Sequence, residues 1–233
     1  MIRLDKYLCD CLGISRKEAK ELVKTGSVRI GGSVCKNEGF KLNEETDTVT
    51  VKGNECRYQR YRYYMLNKPA GVITATVDPV DKTVMELVDI VNKKDFFPVG
   101  RLDKDTVGLL IITNDGELAH KLLSPKYHVD KTYLVEAESE LTDADISKLE
   151  NGVDIGDDKV TMPASVQRVE SKKIRLTIRE GRYHQVKRML EAVGNKVIYL
   201  KRLSFGAVWL DDKLEEGEFR ELTSEETESL KGN

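Results

Sequence analysis

FPVGRLDKDTVGLLIITNDGELAHKLLSPKYHVDKTYLVE, residues 97–136, decides how the larger part of this 233-residue chain folds. Pro98, Gly100 and Gly108 punctuate its first third, so residues 96–108 read as irregular backbone. Residues 109–113 (LLIIT) are a short continuous apolar run, the pattern of a buried strand. Asn114-Asp115-Gly116 reads as a turn and helix cap; the spaced oxygen ligands of a calcium loop are missing. A short helix over 117–123 should end at Ser124-Pro125, and a strand should cover 131–137.

The same grammar extends in both directions. Upstream, a strand begins at residues 63–66, a turn follows at Asn67-Lys68-Pro69-Ala70-Gly71, a strand resumes over 72–76 and a helix covers 82–92. Downstream, helices are expected over 142–150 and 183–193, and strands near 160 and over 165–170, 174–179, 197–200 and 207–210. Strands outnumber helices and often follow one another directly. That favours an α+β domain with a mixed, mainly antiparallel sheet over a doubly wound one.

The first 58 residues read differently. Leu4, Tyr7, Leu8, Cys11 and Leu12 recur at helical spacing, and Gly13 is a natural stop. Ser15 with Glu18 three residues on is a capping box that opens a second helix. On it Arg16, Lys20 and Lys24 recur every four residues and share one face. Short strands follow at 28–30, after Gly31-Gly32, and at 48–51; residues 52–62 read as a polar, basic linker. Two domains are therefore expected, 1–58 and 59–233.

Charged residues make up 33% and aromatic residues 6%, a globular mix. No run approaches the ~18 apolar residues of a membrane helix. The chain opens MIRLDK, charged at once, so neither a secretory signal nor a membrane partner is expected, and a cytoplasmic protein is. The net charge of -2 hides an uneven distribution: residues 1–36 carry eight Lys/Arg against four Asp/Glu, 168–202 carry eleven against three, and 211–233 carry three against nine. Two basic zones point to a polyanion such as nucleic acid, with solvated surface as the plain alternative. Cys9, Cys11, Cys35 and Cys56 show no C-x-x-C spacing and the chain has three histidines, so the cysteines read as small buried thiols, with no zinc site or disulfide.

Two motifs carry a family resemblance. RLDKYLCDCLGISRKEAKELVKTGSVRIGG (3–32) resembles the S4 RNA-binding domain, through Arg3-Leu4-Asp5, Ser15-Arg16, Ala19, Gly26 and the strand before Gly31-Gly32. Residues 97–136, with EGRYHQVKRM (180–189) and LKRLSFGAVWL (200–210), resemble the ribosomal small-subunit (RsuA) type of pseudouridine synthase. The resemblance spans nearly the whole chain. It implies isomerisation of a uridine to pseudouridine in ribosomal RNA, 16S more than 23S, with no cofactor and no metal. It also implies RNA within an assembling small subunit as partner; a monomer is the default expectation.

The residue roles follow from the same resemblance. Asp103 matches the catalytic aspartate, which attacks ribose carbon 1′ or takes a proton from carbon 2′. Tyr133 matches the active-site tyrosine, whose ring can stack on uracil. Lys187 falls where relatives carry a basic partner for the aspartate. Arg188 is the alternative, but neighbours on a helix point about 100° apart, so only one can face Asp103. Arg101 and Lys104 flank the aspartate and could hold phosphates or help to flip the base; Arg182, His184 and Gln185 organise the site or touch RNA. Arg3, Arg16, Lys17, Lys20 and Lys24 are candidate phosphate contacts.

Other readings are weaker. Asp103-Lys104-Asp105-Thr106-Val107 fits a D-x-D-x-[TV] phosphatase pattern, but Pro98, Gly100 and Arg101 interrupt the apolar strand that pattern follows. Asp103 with Asp105 is too tightly spaced for glycoside hydrolysis. A non-catalytic RNA-binding assembly factor is the rival from another class.

Overall fold

The computed structural model describes residues 1–232. The chain forms two units: residues 1–61 with 89–95, and residues 62–88 with 96–233.

The first unit contains β1 (Ile2–Arg3), α1 (Leu4–Leu12), α2 (Arg16–Lys24), β2 (Val28–Ile30), β3 (Ser33–Val34), β4 (Lys41–Leu42), β5 (Val49–Val51) and β6 (Asn54–Cys56). Gly13 ends α1 in the left-handed region, and the Ser15–Glu18 capping box starts α2. Leu4, Leu8, Ala19, Val23, Val28 and Val49 pack as one core. Part of the expected linker is strand: Lys52 and Gly53, both at positive φ, turn β5 into β6 as a tight hairpin. Residues 89–95 close on this unit, with Val91 over Gly13 and Asn92 Nδ2 donating to Asp10 Oδ1 at 3.1 Å. All four cysteines are free thiols; Cys56 is buried, whereas Cys9, Cys11 and Cys35 are half-buried, short of the burial expected.

The second unit is built on one sheet. Its strands are β7 (Tyr63–Lys68), β8 (Phe97–Pro98), β9 (Val107–Thr113), β10 (Lys131–Ala137), β11 (Ser165–Glu170), β12 (Lys173–Ile178), β13 (Val197–Phe205), β14 (Val208–Trp209) and β15 (Phe219–Glu221). The order is β11-β12-β10-β13-β9-β7-β15, with β14 on β13 and β8 on β9. Every pairing is antiparallel except β13 with β9. The architecture is the α+β, mainly antiparallel one expected. The helices are α3 (Gly116–Leu123), α4 (Asp143–Asn151), α5 (Gln185–Ala192) and α6 (Ser224–Lys231). Asp115 caps α3 through Leu118 N at 3.0 Å and accepts the Tyr63 hydroxyl at 2.6 Å. Leu118, Leu122 and Leu230 pack with Met65, Leu109, Ile111 and Phe205 in the main core. Among the described residues no helix is long and apolar enough to cross a membrane.

The parallel seam is short. It joins Lys201 to Val107 and Arg202 to Gly108, and there the backbones touch. Gly108 sits at φ +100, and a Cβ on it would lie 2.3 Å from the Arg202 carbonyl oxygen. Only glycine allows that approach.

Three expectations fail, each for a physical reason. Residues 72–76 form no strand beyond one bridge, Ile73 with Thr83, because their polar groups serve the neighbouring loop. Residues 82–92 form a single 3-10 turn at Val84–Glu86, since Asp89–Asp95 is drawn into the first unit. The strand near 160 is absent: Arg182 donates to the carbonyls of Lys159 and Val160, groups a strand partner would need. The strand at 197–200 runs on through Phe205 as β13, and β14 keeps only two residues of 207–210.

Candidate active site

The loop between β8 and β9 carries Arg101, Asp103 and Asp105, and its backbone is held from behind. The Thr74 hydroxyl donates to Leu102 O at 2.8 Å and accepts from Leu102 N at 3.1 Å. Gly71 N donates to Lys104 O at 2.8 Å. Lys68, at the end of β7, is fully buried. Its ammonium donates to Thr106 O at 2.8 Å, Pro69 O at 3.0 Å and Lys104 O at 3.4 Å. Burial depresses its pKa to about 8, against the opposing pull of Asp105 and Asp103. A lysine before Pro-Ala-Gly reads as part of a turn; here it is the last residue of a fully buried strand.

Asp103 projects from this loop into a cleft of about 60 Å³, which Tyr133, His184, Gln185, Lys187, Ile178 and Leu200 also line. Tyr133 is buried, on β10 opposite Leu176 of β12 and Arg202 of β13. Lys187 Nζ lies 3.1 Å from Asp103 Oδ2 and 2.6 Å from Asp105 Oδ1. His184 Nε2 lies 3.5 Å from Asp103 Oδ1. The two oxygens of Asp103 therefore face different basic groups. Burial works against the Lys187 ammonium, but hydrogen bonds to Asp105 and Asp103 outweigh it and raise its pKa above the ordinary lysine value. The same lysine holds the Asp105 carboxyl below its usual range. Asp105 was not among the expected site residues; carboxylates at i and i+2 around one facing lysine are the signal for it.

Lys187 and Arg188 diverge as neighbouring helical residues must. Arg188 turns from Asp103 to Asp157, at 2.5 Å, and to the carbonyls of Ile155 and Tyr183. Gln185 lines the cleft, but its amide bonds Glu180 Oε1 at 2.8 Å and its oxygen accepts from Arg182 N at 2.9 Å. Arg182 is tied to Glu180 as well, at 2.9 Å. These three residues brace the turn before α5. Arg101 is exposed at the cleft mouth, whereas Lys104 turns to Asp81 at 2.7 Å.

In the first unit Arg3, Arg16, Lys17 and Lys20 line an open groove. Lys24 is outside that lining and pairs with Glu21 at 3.6 Å. Arg3 is clamped on both oxygens of Asp5, at 3.0 and 2.9 Å, which lowers the pKa of that carboxyl.

Comparison with known proteins identifies the family. Residues 62–192 match the RNA pseudouridylate synthase family, and residues 2–49 match the S4 domain. A Bacillus subtilis protein described as an uncharacterized RNA pseudouridine synthase is 49% identical, with 98% of each chain covered. The ribosomal small subunit pseudouridine synthase A of Vibrio cholerae is 44% identical, over 98% of this chain and 99% of that one. A crystal structure of a pseudouridylate synthase superposes with a TM-score of 0.71 at 36% identity, over 99% of this chain and 100% of that one. With a match over more than half its length and full-length relatives at this identity, the chain belongs to the RNA pseudouridylate synthase family, RsuA type, with an S4 domain ahead of its catalytic domain.

Proposed function

We propose that this enzyme isomerises one uridine of small-subunit (16S) ribosomal RNA to pseudouridine, within an assembling particle, with Asp103 as the catalytic group. The observation that carries the reading is the Asp103 carboxylate in a cleft beside the Tyr133 ring, with Lys187 Nζ 3.1 Å from one of its oxygens. The small-subunit naming of the relatives supports the substrate.

The reaction breaks the bond between uracil N1 and ribose carbon 1′, turns the ring, joins it through carbon 5 and releases the proton there. Atoms and electrons balance within the nucleotide, so the steps need neither a redox partner nor a hydrolytic water. The target must first leave its stack, at a few kcal/mol. Arg101 at the mouth then meets the backbone, and the Tyr133 ring packs on the uracil. An ionised Asp103 attacks carbon 1′, or takes the carbon 2′ proton to give a glycal; both need the anion that the Lys187 ammonium stabilises. The groove of the S4 domain adds affinity through phosphate contacts, which position RNA without reading its sequence.

Tritium release from uracil carbon 5 tests the proposal, with labelled 16S and 23S transcripts and partly assembled particles as substrates. Release from 16S material, abolished by Asp103→Asn while RNA binding persists, is the expected result. Release from 23S material alone overturns the substrate. Salt-sensitive binding without release from any of them favours the assembly-factor reading.

A further inference from the structure

Tyr183 stands just outside the cleft and is 70% exposed. Its ring lies on the imidazole of His184, with centroids 3.8 Å apart and planes 18° from parallel. One face of the phenol ring is thus covered, and its high exposure leaves the other open to solvent. The pair is built into the backbone. His184 holds φ 47, in the left-handed region, as the N-cap of α5. The Tyr183 carbonyl accepts from Arg188 Nη1 at 3.0 Å, and Arg188 is fixed by Asp157 and Ile155 O. The far edge of the imidazole, Nε2, reaches to 3.5 Å from Asp103. Two stacked rings therefore run from solvent to the catalytic carboxylate, along the cleft wall that His184 lines.

A flipped uridine leaves its neighbour in the strand with an uncovered base face. Every base has such a face, and an aromatic ring beside a cationic mouth is its usual protein counterpart. We propose that Tyr183, backed by His184, is the stacking platform for the nucleobase next to the target uridine. Tyr133 takes the uracil inside the cleft, and Tyr183 replaces the stacking that the adjacent base loses outside it. The inference rests on the RNA-isomerase reading above. It makes Tyr183 a substrate-binding residue that acts mainly on KM.

Two measurements test it. In the tritium-release assay, Tyr183→Ala and Tyr183→Leu should lower kcat/KM by about 5- to 150-fold, the ~1–3 kcal/mol that stacking one base is worth. Tyr183→Phe and Tyr183→Trp should stay near wild type, because the ring and not the hydroxyl does the work. An alanine variant as active as wild type, or a phenylalanine variant as impaired as alanine, overturns the platform. The second measurement is independent of turnover. With the single native tryptophan removed (Trp209→Phe) and Asp103→Asn blocking chemistry, the lone indole of Tyr183→Trp should be quenched when a 16S transcript binds. Unchanged emission at saturating concentrations of both 16S and 23S RNA overturns the platform. A wild-type enzyme that releases no tritium from any ribosomal RNA, with quenching intact, instead defeats the functional reading and leaves the base contact standing.

Discussion

Replacing Lys68 by methionine should separate stability from catalysis. The ammonium makes two short hydrogen bonds, to Thr106 O at 2.8 Å and Pro69 O at 3.0 Å, and a longer one to Lys104 O. Bonds from a charged donor are worth roughly 1.5–3 kcal/mol each, so the two short ones contribute about 3–6 kcal/mol gross. Against this stands the burial that takes the lysine from 10.5 to about 8. At 1.36 kcal/mol per pKa unit that is a cost of roughly 3 kcal/mol at neutral pH. The two terms largely offset, so Lys68→Met should change unfolding free energy by no more than about 3 kcal/mol. The loop of Asp103 loses its anchor all the same, and a displacement of about 1 Å is enough to cost ~10²-fold in kcat. Stability should also lose part of its pH dependence. With a folded pKa of about 8 below an unfolded value of 10.5, the unfolded chain holds the Lys68 proton more tightly between those limits, so the contribution of this lysine to stability rises with pH through that window. Lys131, also depressed to about 8 by burial, adds the same slope and remains in the variant. Denaturant titrations from pH 7 to 11, with single-turnover tritium release, measure both quantities. A variant with wild-type kcat, or with an undiminished rise in stability between pH 8 and 10.5, would refute the clamp.

Lys187→Met removes the cation shared by Asp103 and Asp105; carboxyl-detected NMR should find the Asp105 carboxyl titrating at higher pH than in wild type, and kcat should fall by about 10²-fold or more. Gly108→Ala puts a methyl 2.3 Å from the Arg202 carbonyl at a left-handed φ; thermal unfolding should show a loss of more than about 3 kcal/mol or no folded protein. Lys20→Ala, in the S4-domain groove, should reduce the slope of log affinity against log salt by about 1 in filter binding, with kcat at saturating RNA unchanged.

The elements legible in advance are those whose hydrogen bonds close locally. Ser15 with Glu18, and Asp115 with Leu118, are contacts three residues apart, and a capping signal needs nothing more distant. The run at 109–112 is apolar at every position because both faces of β9 are buried. What could not be read depends on partners far along the chain. Thr74 looks like a strand residue until Leu102, 28 residues away, takes its hydroxyl. Val160 loses its strand to Arg182, 22 residues on. In the site, Asp103, Tyr133 and Lys187 came through the motifs, and helical geometry foretold that Lys187 and Arg188 would part. Lys68 stayed hidden because local sequence does not tell a lysine in a turn from one at the end of a buried strand.

The parallel seam has a consequence for how the enzyme comes into being. Arg202 Nε bonds Leu109 O across 93 residues of chain, whereas the β7–β9 and β10–β12 ladders join nearer partners. Contacts that close longer loops are slower to gain from forming, so those two ladders should assemble first and the junction between them afterwards. The loop of Asp103 runs straight into that junction at Val107 and Gly108. On the role proposed for Asp103, catalytic competence is then a late event in maturation: a nascent chain not yet synthesised past β13 lacks the strand on which β9 docks.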